Sequence, residues 1–172
     1  MIKYKTIITS FSILIFTSST FAQEIKKQNK NRVHIGIGAG LDYGGFGTKL
    51  TYTPIEEISL FGGLGYNLVD IGWNAGLSYN IPSEGRLEAN PTIMYGYNAV
   101  LQLKNTNYNE VSYGVTAGFN FILNSRKNEN QFNFGIYYPF RSKEFMDQYY
   151  AFNDKSVLLP ITLSVGYNFR LR

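Results

Sequence analysis

The chain has 172 residues, a net charge of +4 and no cysteine, and only 16% of its residues are charged while 16% are aromatic. The low charge and the high aromatic content argue against a disordered chain, and the lack of cysteine excludes a disulfide framework or a cysteine-based metal site. The length fits one domain, or two very small ones.

The first 22 residues have the organisation of a secretory signal peptide. Two lysines form a short basic start, an apolar stretch covers 7–16, and small residues lead to a cleavage site between Ala22 and Gln23. This apolar stretch is about half of the roughly 20 residues that a membrane-spanning helix needs. We therefore predict export and cleavage, followed by a polar tail at 23–31. The mature chain is then too close to neutral to predict nucleic-acid binding.

From residue 32 onward, apolar residues alternate with small or polar residues in eight successive runs. Because successive side chains of a β-strand point to opposite faces, each run is predicted to be a strand with one apolar face. The runs cover 33–41, 46–52, 58–67, 71–79, 89–99, 111–121, 131–140 and 157–171. No segment has sustained helical periodicity.

Turn segments separate the runs, beginning with 42–45, and the last one, 141–156, is the longest. Short connections between successive strands imply antiparallel hairpins, and closing eight such strands into a barrel removes the exposed edges. Three prolines, each without a donor for the strand ladder, fall within a few residues of predicted strand ends, where that loss is tolerated: Pro91, Pro139 and Pro160. The predicted fold is all-β, an eight-stranded antiparallel up-and-down barrel over 32–172.

The direction of the apolar face separates a soluble barrel from a membrane barrel. The apolar face carries more aromatic rings than an eight-stranded interior can hold, and the other face is mostly Gly, Ser, Thr and Asn, with few of the charges that a surface in water needs. Tyr95 and Tyr97 are assigned to the apolar face near mid-height, and the other rings collect near its two rims: Phe46, Tyr66, Trp73, Tyr113, Tyr138 and Phe140 at one, and Tyr52, Tyr79, Phe119, Phe121, Phe132, Tyr167 and Phe169 at the other. Two aromatic girdles around an aliphatic belt are typical of outer-membrane barrels. We therefore predict a transmembrane barrel with the apolar face in contact with lipid.

The export signal, the eight alternating strands and a final strand at the C-terminus resemble the small outer-membrane β-barrels of the OmpA/OmpX type. The resemblance is one of pattern and covers nearly all of the mature chain. Its sharpest local match is the signal by which barrel-insertion machinery recognises the last strand: Ser164, Gly166, Phe169 and Leu171. Members of the family usually end on an aromatic residue, whereas this chain ends Leu171-Arg172. The resemblance implies two partners, the outer-membrane lipids and the insertion machinery. OmpA's peptidoglycan-binding domain is not matched, so a wall-tethering role is not expected.

Barrels of this size include lipid-directed acyl-transfer and deacylase enzymes, which need a nucleophile activated by histidine. The only histidine, His34, is predicted to lie inside the barrel near the periplasmic end, whereas the chemistry of those enzymes lies near the outer leaflet. A single interior histidine is more often a packing residue that is hydrogen-bonded. The sequence therefore predicts no catalytic residue, cofactor or metal.

Glu88 is the one acid predicted to be able to face the interior. Because a buried charge needs a partner, an ion pair of Glu88 with Lys49 or with Arg170 is expected. The glycines at 36, 38 and 40 lack the strand-to-helix context of a nucleotide site, and we interpret the interior glycines as positions that let a small barrel bend and close.

The connection at 141–156 has the most freedom to carry recognition. Its aromatic side chains are candidate surface contacts: Phe145, Tyr149, Tyr150 and Phe152. The alternative is that these rings cap the barrel mouth or rest at the lipid headgroups.

The sequence thus predicts a monomeric integral outer-membrane protein of a diderm bacterium, with a structural or surface-interaction role and no catalytic activity. The alternatives are a lipid-directed acyl-transfer or deacylase enzyme, a small pore, and a soluble periplasmic lipid carrier. A pore is the weaker hypothesis because eight strands normally leave no aqueous channel.

Overall fold

The computed structural model describes residues 31–102, 109–126, 129–152 and 158–171. These residues form the following elements: β1 (Arg32–Gly40), a 3-10 turn (Leu41–Tyr43), β2 (Gly45–Ile55), β3 (Ile58–Tyr66), β4 (Ile71–Tyr79), β5 (Leu87–Gln102), β6 (Asn109–Asn124), β7 (Gln131–Pro139), α1 (Lys143–Phe152) and β8 (Thr162–Leu171). The predicted signal peptide at 1–22 and all but the last residue of the predicted tail at 23–31 lie outside the described residues. In the described ranges, no helix is long and apolar enough to cross a membrane.

The eight strands form a closed barrel in which each strand pairs antiparallel with its neighbours in sequence, and β1 pairs with β8. This confirms the predicted all-β, up-and-down architecture. We call the end where β1 begins and β8 ends the terminal end, and the opposite end the plug end. The β2–β3, β4–β5 and β6–β7 connections lie at the terminal end, and the connection that contains α1 lies at the plug end.

The apolar face points outward, as predicted from the number of rings on that face and the few charges on the other. Ile37, Phe46 and Leu64 are 58% to 63% exposed, whereas Asn74 and Asn133 in the interior are 1% exposed. Aromatic rings of three successive strands lie close together on the outside: the centroid of Trp73 on β4 lies 6.2 Å from that of Tyr95 on β5 and 5.9 Å from that of Tyr113 on β6. The outer surface is therefore an almost continuous apolar layer, and the interior is largely polar.

The connection between β1 and β2, predicted as a simple turn at 42–45, folds back into the barrel. Leu41, Asp42 and Tyr43 are all buried, and Gly44 ends the 3-10 turn at φ 73°, a conformation that glycine adopts without strain. These three residues lie close to six of the eight strands, β1 to β5 and β8. We call Leu41–Tyr43 the plug.

Tyr97 does not lie on the outer face, and the prediction that placed it there is wrong. The β5–β6 register shifts between Tyr97 and Ala99, next to Gly96 at φ 155°. A bulge of this kind sets two residues against one on the partner strand, which disturbs the alternation of the residues at the bulge. Tyr97 therefore points inward, where it is 8% exposed and packs with Leu41, Met94 and Tyr137.

The connection predicted at 141–156 contains a helix, α1, and β8 begins at Thr162 rather than at 157. Ser142 accepts a hydrogen bond from the Phe145 amide at 3.2 Å, the contact of a helix N-cap. Phe145, Met146 and Tyr149 form one side of α1 and pack against the extended part of the β5–β6 hairpin. A single helix of ten residues is too short to give the sustained periodicity that identifies longer ones.

Candidate functional site

The interior of the barrel at the plug end contains a buried ion pair that the sequence did not reveal. Lys49 on β2 donates to the carboxylate of Asp42 in the plug at 2.5 Å, and the two side chains are 3% and 1% exposed. The Lys49 ammonium also lies 4.3 Å from the centroid of the Tyr43 ring, a cation–π distance. The plug therefore supplies the counter-charge for the cation of the barrel wall.

Hydrogen bonds attach the plug to strands on other sides of the barrel. The Tyr43 hydroxyl donates to the amide oxygen of Asn168 on β8 at 2.9 Å. The Asn74 amide on β4 donates to the Leu41 carbonyl at 2.8 Å and to the Tyr97 carbonyl at 3.0 Å. Together with Lys49 on β2, these partners on β4 and β8 connect the plug to distant parts of the wall.

Interior glycines make the space that the plug occupies. A Cβ atom at Gly166 would lie 2.3 Å from the Tyr43 ring, and one at Gly63 would lie 2.2 Å from the Asp42 carbonyl oxygen. These distances are far below van der Waals contact, so a side chain at either position would displace the plug. The interpretation of the interior glycines as bending positions therefore omitted a second role, which is room for the plug.

The interior at the terminal end is polar and holds little free space. A cavity of about 30 Å³ lies among residues of several strands, which include His34, Lys49, Asn120, Asn133 and Asn168. Such a volume has room for about two water molecules. His34 Nδ1 and the amide oxygens of Asn120 and Asn133 have no protein partner in the described part of the chain, and water in the cavity can satisfy them.

His34 is held by a backbone group. Its Nε2 atom lies 3.2 Å from the carbonyl oxygen of Glu129, so Nε2 carries the proton that is donated. Among the described residues, no side chain hydrogen-bonds to His34. The arrangement positions the imidazole through the backbone, and no hydroxyl group of the described residues hydrogen-bonds to it.

Neither of the expected ion pairs of Glu88 forms. The Glu88 carboxylate accepts a hydrogen bond from the Asn124 amide at 2.6 Å, while Arg170 lies 3.6 Å from Glu129, whose side chain is 72% exposed. Lys49 is already paired with Asp42, which had been assigned to a turn outside the alternating pattern. The partner was missed because the turn folds into the barrel.

A wider cavity of about 280 Å³ opens at the terminal rim, between the β2–β3 turn and the β4–β5 connection. We call it the vestibule, and its charged and polar lining is Arg32, Glu56, Glu57, Asn80, Ser83 and Glu88. It shares Arg32, Asn80 and Glu88 with the small interior cavity. The polar interior therefore continues to the rim at this end, whereas the plug fills the other end.

The candidate surface contacts of the last connection lie in or at the end of α1, with different exposures. Phe145 is 2% exposed and packs against Ala99 and Leu101, so its side chain is not available at the surface. The Tyr149 ring is half-buried and touches the rings of Phe145 and Tyr150, with centroids 6.4 Å and 5.6 Å apart. Tyr150 is 49% exposed. The side chain of Phe152 lies outside the described part of the structure.

The residues of the predicted C-terminal assembly signal divide between the two faces of β8. Ser164 is 2% exposed and faces the interior with Gly166, whereas Phe169 and Leu171 are 44% and 45% exposed on the outside. The strand pairs with both β1 and β7, so it completes the barrel.

In the described ranges, no group of three or more His, Asp or Glu side chains could hold a metal ion. No known protein family, curated protein or solved structure matches the chain. The features that carry a functional interpretation are therefore the apolar outer surface, the plugged interior and the cavities at the terminal end.

Proposed function

We propose that the protein is an integral outer-membrane β-barrel of a diderm bacterium, with a structural or surface-interaction role and no catalytic activity. The observation that carries this proposal is the apolar character of the outer surface. In the described ranges, 36 large hydrophobic side chains are exposed, whereas nine hydrophobic residues are buried. Soluble monomers rarely expose an apolar patch larger than a few hundred Å². Contact with acyl chains would remove this surface from water.

The backbone also meets the main requirement of a lipid environment. Hydrocarbon offers no hydrogen-bond partners, so a membrane-spanning sheet must close on itself. All eight strands pair on both sides, and they are 9 to 16 residues long, compared with the roughly 9–11 that a tilted strand needs to cross a membrane. Aromatic residues toward both rims agree with the girdles of such barrels.

The plug supports a closed barrel rather than a pore. The side chains of Leu41, Tyr43 and Tyr137 fill the interior at the plug end and are at most 5% exposed. This packing supports a lumen without a continuous water-filled path. In planar bilayers, we expect the purified protein to give no stepwise ion current, and reproducible conductance steps would favour the pore.

The surface-interaction role, where it operates, would use the solvent side of α1. Tyr150 is exposed there beside the charged residues Lys143, Glu144 and Asp147. Tyrosine rings among charges make effective contact surfaces because they combine apolar area with a polar group. Shortening the connection at 143–152 should then change binding to a surface partner while leaving the barrel inserted.

The acyl-transfer alternative depends on His34. If the protein were such an enzyme, the variant His34→Ala would change the acyl chains of lipopolysaccharide in the strain that carries it. We expect the acyl chains to be the same with the wild-type protein and with the variant.

Expression of the full chain in a diderm host tests the proposal directly. We expect a mature N-terminus at Gln23, recovery in the outer-membrane fraction that requires detergent, and faster gel migration before boiling than after. Recovery from the periplasm without detergent would contradict the proposal and favour the soluble lipid carrier.

A further inference from the structure

The β4–β5 seam is the shortest of the barrel wall. It contains five residue pairs, from Asn74↔Gly96 to Ser78↔Thr92, whereas the other seams contain at least seven. Pro91 follows the last pair, and proline has no N–H group to continue the ladder. Toward the terminal end, β4 and the start of β5 are therefore not joined by backbone ladder bonds.

One side chain bridges this part of the seam. The Asn90 amide oxygen accepts a hydrogen bond from the Ile81 N–H at 3.2 Å, and its amide nitrogen donates to the Asn80 side chain at 3.3 Å. Asn90 is completely buried. The Asn90 side chain thus joins β5 to the residues that follow β4, beyond the last backbone pair of the seam.

A cavity lies on each side of this bridge. On the inner side is the vestibule, with Glu88 of β5 in its lining. On the outer side is a groove of about 500 Å³, which we call the outer groove, lined mainly by apolar side chains: Leu77, Tyr79, Pro91, Ile93, Ala117 and Phe119. Glu88 and Pro91 are three residues apart, which is about 10 Å along a strand. That span matches an amphiphile whose polar head and apolar chain occupy the two cavities.

We propose that the terminal end of the β4–β5 seam binds one phospholipid whose headgroup carries an ammonium group, with an acyl chain in the outer groove and the headgroup at the vestibule. This inference rests on the proposed membrane location, because the lipid reaches the groove from the surrounding bilayer. The site is distinct from the general lipid contact of the outer surface, since it combines a groove with charged groups at the rim.

The charges of the vestibule complement a zwitterionic headgroup. Arg32 offers a guanidinium for the phosphate, while Glu56 and Glu57 offer carboxylates for the ammonium group. None of these three side chains forms an ion pair with another residue in the described ranges. A headgroup with phosphate and ammonium matches both signs, whereas a headgroup without the ammonium leaves the carboxylates unpaired.

The test uses the mature protein reconstituted in vesicles that contain equal amounts of phosphatidylethanolamine and phosphatidylglycerol with the same acyl chains. Native mass spectrometry of the released barrel counts the lipids that stay bound. We expect one retained phosphatidylethanolamine, preferred roughly tenfold over phosphatidylglycerol, which corresponds to about 1.4 kcal/mol. Equal retention of the two lipids, or retention of neither, would overturn the inference.

Two kinds of variant test the outer groove and the vestibule separately. Ala117→Phe fills the outer groove and should abolish retention, and Ala117→Leu should reduce it. Ala39→Phe, the same change on the outer face of β1 away from the groove, is the matched control and should retain the lipid. The double variant Glu56→Gln/Glu57→Gln should still retain a lipid but lose the preference for phosphatidylethanolamine.

Each variant is first checked for heat-modifiable migration, so that only folded barrels are compared. Retention that Ala117→Phe and Ala117→Leu leave unchanged, or that Ala39→Phe removes as well, would contradict the site. If the wild-type protein inserts into vesicles but retains no preferred lipid, this inference fails and the proposed function stands. If the wild-type protein does not insert, the proposed function itself fails.

Discussion

The two ends of the barrel share one wall but have different interiors. At the plug end, Leu41–Tyr43 fill the space with packed rings and a buried ion pair, and α1 packs against the β5–β6 hairpin. At the terminal end, the interior is polar, opens into the vestibule, and has a seam held by Asn90. The plug end is therefore filled by a connection that folds inward together with inward rings of the wall, Tyr97 on β5 and Tyr137 on β7.

The largest loss of stability is expected at the plug end, when the buried ion pair is broken. Lys49→Met leaves the Asp42 carboxylate buried without its cation, which should lower the free energy of unfolding by about 3–5 kcal/mol. Urea unfolding in lipid vesicles measures this. The double variant Asp42→Asn/Lys49→Met removes both charges and should recover most of the loss. A Lys49→Met protein as stable as wild type would mean that the pair does not hold the plug.

The next largest loss of stability is expected where α1 packs against the β5–β6 hairpin. Phe145→Ala removes a buried ring between α1 and the β5–β6 hairpin, at a cost of about 3 kcal/mol. Because the loss is local, α1 should become sensitive to proteolysis while the barrel stays folded. Tyr150→Ala on the exposed side is the control and should change stability by less than about 0.5 kcal/mol. Equal cleavage of the two variants would show that α1 is not anchored through Phe145.

A smaller loss of stability is expected at Gly166, an interior glycine, because the plug packs closely against it. The added methyl group of Gly166→Ala collides with the Tyr43 ring and should cost about 1–3 kcal/mol. Gly62→Ala is a matched control, since its Cβ atom meets no atom within 4 Å. Unfolding of refolded protein in vesicles avoids any effect on cellular insertion. The same stability for both variants would contradict the packing of the plug against β8.

The smallest loss of stability is expected at the terminal end. Asn90→Ala removes the amide that bridges the β4–β5 seam and should cost about 1 kcal/mol. Hydrogen exchange of the Ile81 amide should then become roughly fivefold faster. Ser83→Ala, in the exposed connection nearby, should leave that rate unchanged. An unchanged rate in Asn90→Ala would mean that other contacts hold the seam.

The barrel could be predicted because its signal is local. Alternation with a period of two is visible within each run, and short turns between runs set the strand order. The outward direction of rings such as Trp73 followed from the lack of space inside. The membrane location, the export signal and the role of the C-terminal strand in assembly remain predictions.

The plug could not be predicted because its partners are remote in sequence. Tyr43 bonds to Asn168, 125 positions away, and nothing near residue 43 indicates that contact. One signal was available for Asp42, since Lys49 on the interior face needed a nearby acid. The inward direction of Tyr97 could not be predicted because it depends on the bulge next to Gly96. For α1, the sequence did contain a helix signal, namely Ser142 followed by the spacing of Phe145, Met146 and Tyr149. This signal is too short to give sustained helical periodicity.

The contact between the apolar outer face and lipid is tested most directly by Trp73, the only tryptophan of the chain, which is 42% exposed on the outside. In vesicles, lipids brominated on their acyl chains should quench its fluorescence strongly, and aqueous iodide should have little effect. In the control variant Trp73→Phe/Phe61→Trp, the tryptophan lies in the interior, and brominated lipids should quench it far less. Strong quenching of Trp73 by iodide, with no effect of brominated lipids, would contradict the account.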